Sequence, residues 1–149
     1  MKLILRPCAA EPELSDPAVT GQFAEQMATL AAQEQVPPWC GYIGWDGDQP
    51  LGFGGFKGGP DAAGAVELGY LTFQAHEGRG VASAVAAAMI EIARAEGLAA
   101  VIAHTLPEEN PSTGVLRRNG FMRDGEAEDP DEGTVWRWRH IIDPPVMIA

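Results

Sequence analysis

The stretch Ala65-Val66-Glu67-Leu68-Gly69-Tyr70-Leu71-Thr72-Phe73, then Gln74-Ala75-His76-Glu77-Gly78-Arg79-Gly80, then Val81-Ala82-Ser83-Ala84-Val85, decides the fold. Its first nine residues read as a long strand. From Arg79 to Glu96 the pattern changes. Val81, Val85, Ala88, Met89 and Ile92 recur three to four residues apart, which predicts a helix, and Gly97 stands where a left-handed cap would end it. Strand, glycine turn and helix in succession leave unpaired backbone amides beside residues that have no side chain. Such a turn lets a ligand approach the backbone, and the helix dipole favours an anionic group such as a pyrophosphate. A glycine pair before a helix is also ordinary turn chemistry, so the surroundings must decide.

Upstream, Leu3 to Arg6 reads as a short strand stopped by Pro7. A helix is expected from about Val19 to Glu34, with Phe23, Met27, Leu30 and Ala31 on one face, and Pro37-Pro38 forbids its continuation. Cys40 to Trp45 and Leu51 to Phe56 read as strands joined by a turn at Asp46-Gly47. Downstream, Leu98 to His104 has the continuous apolar character of a buried strand. Asn110-Pro111 offers an N-cap followed by proline at the first helical position, and the short helix closes at Gly120. Phe121 to Gly125 and Thr134 to Ile142 read as two last strands around an acidic turn, with Trp136, Trp138 and His140 on one face of the second. The order β-α-β-β-β-α-β-α-β-β joins an antiparallel meander to one strand-helix-strand crossover. This is an α/β fold with a mixed, α+β type of sheet, expected as a single domain over residues 1–149.

Composition narrows the function. Lys and Arg total 10 against 21 Asp and Glu, a formal charge of -11, which argues against nucleic acid as a partner and would attract a cationic substrate, or serve solubility alone. No apolar run approaches the roughly 20 residues of a membrane helix. The segment Met1 to Leu5 is too short for a signal peptide, so the cytoplasm is the expected compartment and no membrane partner is expected. Cys8 and Cys40 lack CxxC spacing, and His76, His104 and His140 are scattered, so neither a metal nor a disulfide framework is expected.

Two nucleotide-binding readings of the glycine turn fail on residues they require. A P-loop needs Gly-Lys followed by Ser or Thr, which is absent. A dinucleotide fold needs an acidic residue at the end of the next strand, where His104 stands.

The runs Val66-Glu67-Leu68-Gly69-Tyr70, Glu77-Gly78-Arg79-Gly80-Val81-Ala82-Ser83 and Asn110-Pro111-Ser112-Thr113-Gly114-Val115-Leu116-Arg117-Arg118-Asn119-Gly120-Phe121, in this order and spacing, resemble the GNAT superfamily of N-acetyltransferases, in particular its RimJ/RimL-like branch. The resemblance implies a mostly antiparallel, twisted central sheet, splayed at an acetyl-CoA site and covered by helices on both faces. It implies that backbone groups of Leu71, Thr72 and Phe73 pair with the pantetheine arm, that Gly78, Arg79, Gly80, Val81, Ala82 and Ser83 hold the pyrophosphate, and that Asn110 and Ser112 face the thioester. Trp39, Tyr42 and Tyr70 are the candidate acceptor-pocket residues, with Trp45 nearby and core packing the competing role for the aromatics. The chain departs from the family at Ala75, where glutamine or arginine is common, and at Leu116, where many relatives carry a tyrosine that can protonate the leaving thiolate.

Acetyl transfer to an amine needs a proton acceptor for the amine, a donor for the oxyanion and a proton for sulfur. Glu67 is the candidate acceptor, through a water, with an exposed strand carboxylate as its alternative; a backbone amide near Thr72 would meet the oxyanion, and Ser112 is the candidate donor to sulfur. No Cys-His pair suggests a covalent intermediate, so direct transfer is expected. The competing reading is a non-catalytic acyl-CoA-binding or regulatory module. Acceptors consistent with the sequence include a protein N-terminus, a polyamine or an aminoglycoside, and the aromatic face of the last strand suggests a homodimer surface.

Overall fold

The computed structural model describes residues 1–9 and 11–142. Its elements are β1 (Ile4–Pro7), α1 (Pro17–Thr20), α2 (Ala24–Ala31), β2 (Gly41–Asp46), β3 (Gln49–Phe56), β4 (Ala65–Thr72), α3 (Val81–Ala95), β5 (Ala100–Thr105), α4 (Pro111–Arg118), β6 (Met122–Asp129) and β7 (Gly133–Ile141). The strands form one seven-stranded sheet in the order β1-β2-β3-β4-β5-β7-β6. All neighbours are antiparallel except β4 and β5, the pair joined through α3. This is the crossover that the strand-glycine-helix stretch predicts.

Alternation along the strands sends side chains to two hydrophobic clusters. One gathers Val81, Val85, Met89 and Leu116 of α3 and α4 with Tyr42, Leu68 and Trp138; the other gathers Met27 of α2 with Leu14, Ile43, Trp45 and Phe73. Glycines let α3 approach the sheet. A Cβ on Gly52 would stand 3.0 Å from Val81 Cγ1, and one on Gly54 would collide with Met89 and lie 2.5 Å from Val85 Cγ1.

Two expectations need correction. The helix expected from Val19 to Glu34 is broken into α1, a 3-10 turn at Gly21–Phe23, and α2, which ends at Ala31. Gly21 causes the break, because its φ of 60° and ψ of -133° lie outside the helical region. The acidic segment read as a turn is strand: β6 continues to Asp129, and only residues 130–132 turn. Cross-strand pairing outweighs the low β propensity there. Asp124 accepts hydrogen bonds from Arg137 Nε (2.9 Å) and Arg139 Nε (2.8 Å), and Asp129 Oδ1 accepts the Asp131 and Glu132 amides at the turn.

The aromatic face of β7 is largely covered within the chain. Trp138 is 1% exposed, donates its indole N–H to Thr105 Oγ1 at 2.9 Å, and lies under the Arg117 guanidinium, so it is withdrawn from the suggested dimer surface. Among the described residues, no helix is long and apolar enough to cross a membrane.

Candidate active site

The central feature is the parting of β4 from β5. They pair only at Ala65 with Ala100, Val66 with Val101 and Glu67 with Ile102; thereafter β4 runs on to Thr72 beside β3, and β5 to Thr105 beside β7. Backbone direction then sets which groups face the opening. Lys57 N–H donates to Glu67 O (2.8 Å) and Phe73 N–H to Leu51 O (3.0 Å), so odd-numbered residues of β4 turn their backbone groups to β3. By the two-residue period, Tyr70 and Thr72 turn theirs to the open edge. Of the expected trio Leu71, Thr72 and Phe73, only Thr72 turns its backbone groups to the opening; the Phe73 amide is bonded to β3.

A cavity of about 1000 Å³ opens at this edge, lined by Thr72, Gly78, Gly80, Val81, Ala82 and Ser83 on one side and by Asn110, Pro111, Gly114, Val115 and Arg118 of the α4 region on the other, with Phe23 and Glu77 at its margin. Gly78 and Gly80 have φ of 77° and 79°, the left-handed geometry that favours glycine. Gly80 is the N-cap of α3 and supplies no side-chain cap, so the first amides of the helix are left for an outside acceptor. Three uncapped amides, the positive end of a fifteen-residue helix and the Arg118 guanidinium fit a diphosphate.

The remaining candidates divide. Arg79 does not line the cavity: its Nη1 contacts His76 Nδ1 at 2.9 Å. Asn110 lines it and also caps α4, accepting the Thr113 amide at 3.0 Å while its own amide donates to Thr113 Oγ1. Ser112 meets Tyr70 across the splay, the two hydroxyl oxygens 3.1 Å apart and the phenol also 3.0 Å from Ser112 O. Tyr70 thus faces α4. Burial pushes its hydroxyl above the ordinary tyrosine range, against smaller opposing effects of Ser112 and Arg118. Leu116 is fully buried.

Trp39 lines a second cavity, of about 420 Å³, together with Leu30 of α2 and with Phe53, Lys57 and Gly69. Tyr42 does not: it lies on the α3 face, 6% exposed, with its hydroxyl donating to Pro38 O at 2.8 Å. The expectation for Tyr42 is therefore corrected to a core role, and Trp45, 5% exposed, also packs in the core.

Glu67 stands on the last rung before the strands part. Its Oε2 is 3.1 Å from Lys57 Nζ and 3.0 Å from His104 Nδ1. Burial raises the Glu67 carboxyl, but hydrogen bonds from His104 and Lys57 outweigh it and hold the group below the usual carboxylate range. Sequence reading missed His104 and Arg118 as site residues. Arg118 was the more accessible of the two, standing four residues after Gly114 and eight after Asn110 on the helix that faces the glycine loop.

The family described as Acetyltransferase (GNAT) domain matches residues 3–122. The chain belongs to the GNAT acetyltransferase family. Solved structures agree on the fold of this GNAT domain. An acetyltransferase of the GNAT family from Bacillus anthracis superposes with a TM-score of 0.77 at 16% identity, over 95% of each chain. The aminoglycoside acetyltransferase AAC(6')-Ib in complex with coenzyme A and kanamycin gives 0.70 at 16% identity over 94% of this chain and 95% of that one, and its complex with coenzyme A gives 0.72 at 15% identity over the same shares. RimL, a ribosomal L7/L12 alpha-N-protein acetyltransferase in complex with coenzyme A, gives 0.62 at 21% identity over 69% of this chain; the GNAT domain spans 62% of that chain's length. No curated protein sequence matches the chain. Family membership makes the activity acetyl transfer, and the chain an acyltransferase that draws on acetyl-CoA.

Proposed function

We propose that this GNAT domain moves an acetyl group from acetyl-CoA directly to a primary amine, either a protein N-terminus or a small-molecule amine. The observation that carries the reading is the large cavity, where uncapped α3 amides at one end lead to the unpaired edge of β4. When bound, acetyl-CoA supplies an activated acyl carbon and a thiolate leaving group. Gly78, Gly80 and the first amides of α3, with Arg118, hold the diphosphate. The Thr72 amide, pointing to the open edge, bonds the arm or meets the charge that develops on the acyl oxygen. Holding donor and acceptor together supplies most of the acceleration. The Tyr70-Ser112 hydroxyl pair lies beside the opening and delivers a proton to sulfur, in place of the tyrosine that Leu116 replaces. The amine enters from the α2 face, where the second cavity reaches Lys57 and Gly69, and its proton leaves toward the Glu67 cluster.

Thiol release that depends on an added amine tests this reading. Acetyl-CoA turnover is expected with at least one of spermidine, kanamycin or a peptide with a free N-terminus. The buried Leu116 favours one rival, a module that binds acyl-CoA without turning it over. Tight binding of acetyl-CoA with no thiol release from any of the three amines would select that rival.

A further inference from the structure

We propose that His104 is the group that takes the proton from the attacking amine, through Nε2, and that Glu67 positions it. This rests on the acetyl-transfer reading and names the acceptor atom within the same site. His104 lies on β5 two residues past Ile102, the last residue paired with β4, so by the strand period it shares a face with Ile102 and Glu67 at the point where the strands separate. Nδ1 is 3.0 Å from Glu67 Oε2. A carboxylate in that position receives Nδ1–H, which fixes the tautomer and leaves Nε2 as a bare acceptor. Among the described residues Nε2 has no hydrogen-bond partner, and it is not among the ring nitrogens sealed from solvent, unlike those of His140.

Chemistry separates the two candidates. Glu67 already accepts from both Lys57 and His104, and these bonds hold its carboxyl below the ordinary range, which makes it a weak base toward an amine. An imidazole is better matched to a proton transfer near neutral pH. Four charged groups surround it. Glu67 faces it from β4, Lys57 approaches the same carboxylate from the end of β3, Asp129 of β6 feels the charges of both Lys57 and His104, and Arg137 is its register partner on β7 but is held by Asp124.

The step balances. The amine lone pair forms the N–C bond to the acyl carbon, the C–S bond breaks with its electron pair going to sulfur, and one proton passes from nitrogen to Nε2. Sulfur receives a proton from the Tyr70-Ser112 pair, and the cycle closes when His104 gives its proton to water and the hydroxyl pair takes one back from water.

His104→Asn keeps a donor near Nδ1 for Glu67 and removes the Nε2 acceptor. With whichever of the three amines the wild type acetylates, kcat is expected to fall on the order of a hundredfold with acetyl-CoA affinity unchanged. The acidic limb of the kcat/KM profile should disappear, and added imidazole should restore turnover to His104→Ala. Wild-type kcat and an unchanged pH profile in His104→Asn would overturn the assignment while leaving the acetyl-transfer reading intact. A wild type that binds acetyl-CoA yet acetylates none of the amines would remove both. Nitrogen NMR of the wild-type imidazole gives a result independent of any acceptor: Nδ1–H with bare Nε2 is expected, and the opposite tautomer would overturn the proposal.

Discussion

Glu67, His104 and Lys57 show why single residues were unequally legible in the sequence. Gly78, Gly80 and Asn110 could be read because their work is local: a positive φ, an uncapped helix start, a cap three residues from its partner. His104 could not, since it gains meaning only from Glu67, 37 residues away in sequence, and the Tyr70-Ser112 pair spans 42. Asp124 is a third such case and yields a pH prediction. Partial burial raises its carboxyl, but hydrogen bonds from Arg139 and Arg137 outweigh this and hold it below the usual aspartate range. A folded-state value lower than the unfolded one means that the stabilisation is present above the unfolded value, about pH 4, and is lost as pH falls through the folded one. The urea midpoint of Asp124→Asn should therefore lie below that of the wild type at pH 7, and the gap should close as pH falls below about 4. A gap that persists unchanged into acid would remove the ion-pair explanation.

The elements were legible in kind and order, with errors at boundaries that have identifiable causes. Apolar periodicity located α3, and the Asn110-Pro111 signal located α4. The same periodicity missed the break at Gly21, because the apolar positions Val19, Phe23 and Met27, four residues apart, continue across it. Less visible still was the reason for Gly44, Gly52 and Gly54 of β2 and β3, which is the approach of α3 to the sheet. Gly54→Val should destabilise the protein by about 1–3 kcal/mol or more through overpacking against Val85 and Met89. Gly47, with nothing within 4 Å of a built Cβ, separates crowding from backbone effects: Gly47→Ala carries a strained φ of 62° without a clash. Equal losses in thermal or urea unfolding for both variants would show that packing of α3 is not what Gly54 serves.

For the molecule as a whole, the mixed sheet and its parallel crossover followed from element order, whereas the splay was expected only through the family resemblance. Strand propensity says where β4 and β5 lie but not that their pairing stops after three rungs, and the cavity exists because it stops. The proposed activity depends on this opening being an acetyl-CoA site, and calorimetric titration of acetyl-CoA tests it most directly. Gly80→Glu blocks the anion site by charge and bulk but also strains a residue at φ 79°. Ala82→Glu, in the first turn of α3, places the same charge at the cavity wall where a helix tolerates an acid well. Saturable binding to the wild type, abolished in both folded variants, is the predicted result; a folded wild type that gives no binding heat, or an Ala82→Glu variant that binds as the wild type does, would contradict it.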